Sequence, residues 1–325
     1  MESIAPLWLW LVFAGIVLAA LFVDFAVLRK QGAQTVGVRE ALHWSLAWVG
    51  LSLVFNGLLW WAVWREGGSA ALANEKSLEF LAGYLIEKSL AVDNIFVFLL
   101  IFNHFAVPPV LCKRVLMIGV LGAIALRTAM IFAGGWLLAQ FHWILYVFGA
   151  FLVLTGVKMW RSAGQEAQGL DGNAALGLLR RALPLSQGYD GERFVTVEHG
   201  RRIATPLLMV VAMVALADVV FAVDSIPAVF AITRDPFIVL TSNVLAILGL
   251  RAMFFLLQAA AGRFHRLHHG LAVILVCIGG KMVLADVVQI PVAVSLGVVL
   301  GILALTMIWS VKTAPASEMV RLPRP

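Results

Sequence analysis

Runs of about 20 mostly apolar residues recur along the whole chain, and that is the length a helix needs to cross roughly 30 Å of hydrocarbon. Nine such runs stand near residues 7–28, 42–64, 79–102, 114–138, 142–161, 204–232, 237–258, 269–288 and 291–311. In lipid every backbone N–H and C=O must be satisfied inside its own segment, which helices do. The expected fold class is therefore all-α, a polytopic transmembrane helix bundle of about nine spans. Composition points the same way: of 325 residues 62% are hydrophobic and only 13% charged. A soluble domain carries about 25% charged residues, so this chain has too few to coat a soluble surface.

Residues 1–325 are expected to form a single transmembrane domain with one long connection, the 162–203 loop. That loop is rich in glycine and charge and reads as a polar linker with room for a small hairpin. Glu192 to Glu198 alternates like a strand, and Glu198-His199-Gly200-Arg201 has turn chemistry. Sixteen lysines and arginines gather at one set of helix ends, among them Arg29, Arg114, Arg193 and Arg202, against Arg65, Lys76 and Arg234 at the other. Positive charge stays on the cytoplasmic side, so the N-terminus is expected outside, with the loop and the C-terminus in the cytoplasm. Loop charge of this kind accounts for the net +6 without a nucleic-acid partner. The first positive charge is Arg29, which is not the basic start of a secretory signal, so the first helix is expected to be retained. Cys112 and Cys277 fall in separate helices and exclude a disulfide scaffold or a thiolate metal cluster. No GxGxxG, Walker loop, HExxH or GxSxG motif and no nucleophile–base set is present. The chain is expected to be no enzyme and to need no organic cofactor.

Two parts of the sequence repeat. Glu87-Lys88-Ser89-Leu90-Ala91-Val92-Asp93-Asn94-Ile95 in the third run is matched by Asp218-Val219-Val220-Phe221-Ala222-Val223-Asp224-Ser225-Ile226 in the sixth. The next run of each part holds a Leu-Arg pair, ending in Arg127 and Arg251. The run after that holds Gly156-Val157-Lys158-Met159 in one part and Gly279-Gly280-Lys281-Met282 in the other. Three matches in one order define repeat A, 79–161, and repeat B, 204–288, with 7–64 and 291–311 as flanking helices. Each unit has three spans, so the second enters the membrane upside down. Two inverted three-helix repeats are an architecture of secondary transporters, which bind substrate near the midplane between them.

An acid at the bilayer centre costs roughly 2.5–3.5 kcal/mol on insertion scales. Glu87, Asp93, Asp218 and Asp224 must therefore find cations, protons or partner side chains. Six residues turn a helix by about 240°, so the acids of one helix share a face only if that helix breaks. Pro227, which cannot donate to the carbonyl of Val223, is the expected cause of a break beside Asp224. With the amide of Asn94 and the hydroxyl of Ser225, the donor set is all oxygen and suits Mg²⁺, Ca²⁺ or Mn²⁺. Lys88, Arg127, Arg251, Lys158 and Lys281 are the matching charge partners or gates, with a static salt-bridge network or snorkelling as the alternative. Asp24 and Asp286 lie nearer span ends, where capping or interfacial roles are expected. His265, His268 and His269 read as an interfacial turn, with a cytoplasmic metal-entry site as the weaker alternative.

The acidic segments 87–94 and 217–227 closely resemble the paired signatures of the TerC family, and the span layout resembles its Alx-type bacterial members. The resemblance spans nearly the whole chain apart from the 162–203 loop and the C-terminal tail. It implies a multi-pass protein of the bacterial inner membrane associated with manganese export and, in older naming, with tellurium resistance or redox modulation. It also carries the family's intramembrane acids onto Glu87, Asp93, Asp218 and Asp224. The expected activity is alternating-access export of a divalent metal from the cytoplasm. Mn²⁺ is the first candidate substrate, Ca²⁺ stays open, and proton coupling through the same acids is the natural driving reaction. The alternative is a non-transporting membrane partner in the metalation of exported proteins or in membrane redox modulation. Partners are metal ions, protons and the lipid bilayer, with a homo-oligomer or a membrane complex left open.

Overall fold

The computed structural model describes residues 3–31, 37–67, 69–141, 143–162, 185–186, 188–198, 201–260, 267–285, 287 and 290–313. They form ten helices: α1 (Leu7–Gln31), α2 (Val38–Gly67), α3 (Ala70–His104), α4 (Pro109–Gln140), α5 (Ile144–Ser162), α6 (Pro206–Phe230), α7 (Pro236–Leu248), α8 (Leu250–Ala260), α9 (Leu267–Val283) and α10 (Val292–Lys312). The hairpin allowed for in the long loop is present. β1 (Val195–Glu198) pairs antiparallel with β2 (Arg201–Ala204), with Val195 opposite Ala204 and Val197 opposite Arg202. The centre of the expected turn, His199 and Gly200, lies outside the described residues, as do His265 and Asp286.

Among the described residues six helices are long and apolar enough to cross a membrane, and a seventh crossing is obtained if α7 and α8 count as one bent span. That is fewer than the nine spans expected. The α3 helix carries Glu87, Lys88 and Asp93 within seven residues, too much charge for an apolar span. The described part of α9 has 17 residues, short of a full crossing. The membrane character is plain on the outside of the bundle. Leu18, Phe22, Leu154, Val220 and Leu305 are exposed, which in water would be a large unburied apolar surface.

Two further expectations fail in an informative way. Pro227 does not break its helix; α6 continues through it to Phe230. A proline removes one hydrogen bond, and here both flanks of the helix are held by packing against α3 and α4. The break lies instead in the run expected as one span at 237–258, where α7 and α8 meet at Gly249 with a bend of 44°.

The helices pack in exchangeable pairs. The α3 helix lies on α7 and on α6, α4 on α6 and on α7, and α5 on α9. Swapping α3 with α6, α4 with α7 and α5 with α9 leaves that pattern unchanged. The α5–α9 pair is antiparallel and glycine-seamed. A Cβ on Gly149 would stand 2.9 Å from the Gly279 carbonyl oxygen, and one on Gly156 would stand 2.7 Å from that of Ala272. Gly149 and Ala272 occupy equivalent positions in the repeated segments, as do Gly156 and Gly279. The two contacts are therefore each other's counterparts. Small residues permit such backbone approach in membrane helices. Helix α2 packs on α3 and α8, and α10 on α9 and α3.

Candidate functional site

Among the described residues, the largest fully buried side chain is a cation. Arg127, in the middle of α4, is 2% exposed and pairs with Glu87 of α3, which is 0% exposed. The guanidinium also donates to Asn243 Oδ1 of α7 at 3.3 Å, while Asn243 Nδ2 donates to the Val239 carbonyl at 3.0 Å. Asp218 of α6, also buried, lies within electrostatic reach of Arg127. Arg127 thus pairs with the acid of one repeated segment while its charge reaches the acid of the other. The centre is not saturated. Glu87 Oε2 and Arg127 Nε have no hydrogen-bond partner among the described residues, and about two turns along α6 from Asp218 neither has the buried Ser225 hydroxyl.

The second acid of α6 goes elsewhere, as an unbroken helix requires. Asp224 is half-buried and faces α5, accepting a 3.4 Å hydrogen bond from Thr155 and feeling the charge of Lys158. Asn94 is buried in α3, and the Asp93 side chain lies outside the described set. Among the described residues, no three His, Cys, Asp or Glu side chains are placed to hold one metal. Of the expected donors, Glu87 and Asp218 therefore lie toward Arg127 and Asp224 lies on the α5 face.

The remaining cations have partners that their sequence neighbours did not indicate. Arg251 of α8 donates to Asp24 of α1, at 2.7 Å to the carboxylate and 3.2 Å to its backbone carbonyl. Asp24 is 3% exposed, so its role is a buried ion pair and not the expected cap or interfacial contact. Lys88 turns away from Glu87. Its ammonium donates to the Ala246 carbonyl at 3.1 Å, in the last turn of α7, where orphan carbonyls and the helix dipole favour a cation. Gly249 is what admits it, since a Cβ there would stand 2.6 Å from Lys88 Nζ and 3.2 Å from Trp48 Cβ. Lys281 donates to Ser295 of α10 at 2.9 Å.

Glu79 is a buried acid outside the repeated signature. It accepts from Lys76 at 2.8 and 3.0 Å and from the Thr233 hydroxyl at 2.6 Å. It lines a cavity of about 690 Å³ together with Asp235 and Lys281, at the end of the bundle away from the β-hairpin. Its position two turns before Glu87, with no charged residue between them, was the available sequence signal.

The comparisons with known proteins concern the chain as a whole. Residues 72–317 match the profile of the family described as "Integral membrane protein TerC family". The chain is 53% identical to the Escherichia coli K12 protein named "Putative membrane-bound redox modulator Alx" over 308 residues, 95% of each chain. It is 52% identical to the Salmonella typhi protein of the same name over 308 residues, again 95% of each. An uncharacterized membrane protein of Myxococcus xanthus is 47% identical over 319 residues, 97% of each. No solved structure matches. With three quarters of its length inside that profile and relatives this close, the chain belongs to the TerC family of integral membrane proteins.

Proposed function

We propose that the protein is a secondary transporter of the bacterial inner membrane that exports a divalent metal, Mn²⁺ foremost, from the cytoplasm. Two inverted three-helix repeats, α3–α5 and α6–α9, would provide alternating access, with α3 and α9 also crossing and completing nine spans. The observation that carries the reading is the buried Arg127 centre. A permanent structural pair would need neither the charge of Asp218 within reach nor an unpartnered oxygen on Glu87. Arg127 acts here as an internal cation that holds the acids when no metal is bound.

Arriving metal takes over the carboxylates of Glu87 and Asp218, and Arg127 swings aside. Rearrangement of α5 against α9 then brings in Asp224 and Asp93, with Asn94 and Ser225 completing the oxygen set. A ligand moves such an equilibrium only through its different affinity for the two states, and the two separated acid groups supply that difference. Moving one charge against 100 mV costs about 2.3 kcal/mol, so a divalent ion costs roughly 4.6. Export therefore requires coupling, and protons entering on the vacated carboxylates provide it.

The test is Mn²⁺ efflux by protein carrying Asp93→Asn or Asp224→Asn, with membrane insertion verified. Efflux falls sharply if these acids carry the ion; unchanged efflux contradicts the assignment. A second reading is a non-transporting partner in membrane redox modulation or in the metalation of exported proteins, and the name of the relatives favours its redox part. In that case the purified protein alone moves no metal.

A further inference from the structure

The β-hairpin has two unlike faces. One is turned to the protein: Phe194 sits under the Arg114 guanidinium at 5.3 Å, Arg114 pairs with Glu192, and Thr196 donates to Asp190 at 2.8 Å. Tyr189 donates to the Phe105 carbonyl at 2.8 Å, and Thr205 donates to the Arg193 carbonyl at 2.7 Å. The hairpin is thereby fixed against the α3–α4 turn. The opposite face is open. Val195 and Val197 are 46% and 65% exposed, the register sets Arg202 opposite Val197, and Arg193, just before β1, borders the same space.

That face lines a cleft of about 640 Å³ bounded by Arg193, Val195, Val197, Arg202, Ala204 and Leu208. Its location is set by the chain. Strand β2 ends at Ala204, and Pro206 opens α6, a helix apolar enough to cross a membrane. The cleft therefore lies at the membrane boundary, with guanidinium groups at its rim and apolar side chains leading onto the first turn of a span. The start of α6 adds the partial positive charge of a helix N-terminus. Asp190, 3.6 Å from Arg193, offsets part of that arginine's charge, while Arg193 itself is 76% exposed.

We propose that this cleft binds an anionic phospholipid, its phosphate on Arg193, Arg202 and the start of α6, its acyl chain along Val195, Val197 and Leu208. The complementarity is twofold: two cations meet the headgroup charge, and exposed valines beside a membrane-spanning helix meet the hydrocarbon. The hairpin is then a clip that holds the root of α6 to the membrane surface. Lipid binding there uses none of the intramembrane acids and is independent of the transport reading.

The experiment places the full chain in nanodiscs of phosphatidylcholine alone or of phosphatidylcholine with phosphatidylglycerol. It reads amide exchange over 193–205 and the lipids retained in native mass spectra. Phosphatidylglycerol is expected to slow exchange in the hairpin and to remain bound selectively. A basic residue near an anionic surface contributes about fivefold, so Arg193→Gln with Arg202→Gln should reduce the selectivity roughly 25-fold. Arg193→Lys with Arg202→Lys should retain most of it, and Val195→Ser with Val197→Ser should weaken retention without abolishing headgroup preference. Equal hairpin exchange in the two wild-type nanodiscs overturns the proposal whatever the variants do. So does equal displacement by soluble glycerol phosphate, which marks a free-phosphate site.

Discussion

Replacing Arg127 by methionine removes a guanidinium that is 2% exposed from a carboxylate that is 0% exposed. Removing one partner of a buried pair leaves an uncompensated charge and costs about 3–5 kcal/mol, whereas replacing both by apolar or neutral groups of similar volume is often near neutral. Arg127→Met alone should therefore destabilise the protein by about 3 kcal/mol or more. Glu87→Gln combined with Arg127→Met should recover part of that loss, Asp218 still lacking its cation. The assay is unfolding in mild detergent, followed by the fluorescence of the 11 tryptophans and completed as a double-mutant cycle. The functional counterpart separates fold from transport, because the stable double variant lacks the acid that receives metal and should move none. A single variant that loses under ~1 kcal/mol, the range of an exposed pair, would refute the buried-pair reasoning. So would a double variant no more stable than the single one.

Further outcomes are expected elsewhere in the molecule. Asp24→Asn leaves Arg251 buried without its carboxylate and should cost about 3–5 kcal/mol, read as a lowered unfolding midpoint; no shift would show that α1 does not hold Arg251. Gly156→Val drives a side chain into the Ala272 carbonyl, and overpacking of this kind costs about 1–3 kcal/mol; it should be visible as loosened α5–α9 crosslinking between engineered cysteines. The Tyr189 hydroxyl, on the docked hairpin, is pushed up to about 12 by burial and, secondarily, by Cys112. Because its folded value is raised, its contribution to docking is complete below the ordinary tyrosine value of 10.0 and disappears as pH rises through about 12. Tyrosinate absorbance compared between wild type and Tyr189→Phe checks this, and ionisation of Tyr189 near its ordinary value would contradict it.

Local sequence carried much of this architecture because a bilayer turns composition into structure. An apolar run must be helical, and the Glu87–Asp93 and Asp218–Asp224 segments repeat visibly within helices that can be delimited by eye. The alternation from Glu192 to Glu198 likewise marked the first hairpin strand. Partnerships across the fold were not legible. Lys88 adjoins Glu87 in sequence but reaches Ala246, 158 residues away, and Arg251 reaches Asp24 across 227 residues. Nothing in either neighbourhood encodes those distances. Pro227 misled because one lost hydrogen bond is a local penalty that packing along α6 overrides. Gly249 was overlooked because a single glycine in an apolar run is commonplace until a lysine from another helix needs the space beside it. The division of the acids follows from the same unbroken helices: at about 240° apart, Asp218 turns to Arg127 and Asp224 to Thr155.

The central claim is that this chain by itself carries divalent metal across a membrane, and a flux measurement on purified protein tests it most directly. Liposomes loaded with a Mn²⁺-sensitive dye and containing only this protein are given a Mn²⁺ gradient, with the internal pH recorded at the same time. Protein-dependent Mn²⁺ movement with counter-movement of protons, lost in Asp224→Asn, is expected. Liposomes that stay silent to Mn²⁺ and to a panel of other divalent ions, while the protein is folded and inserted, would contradict it.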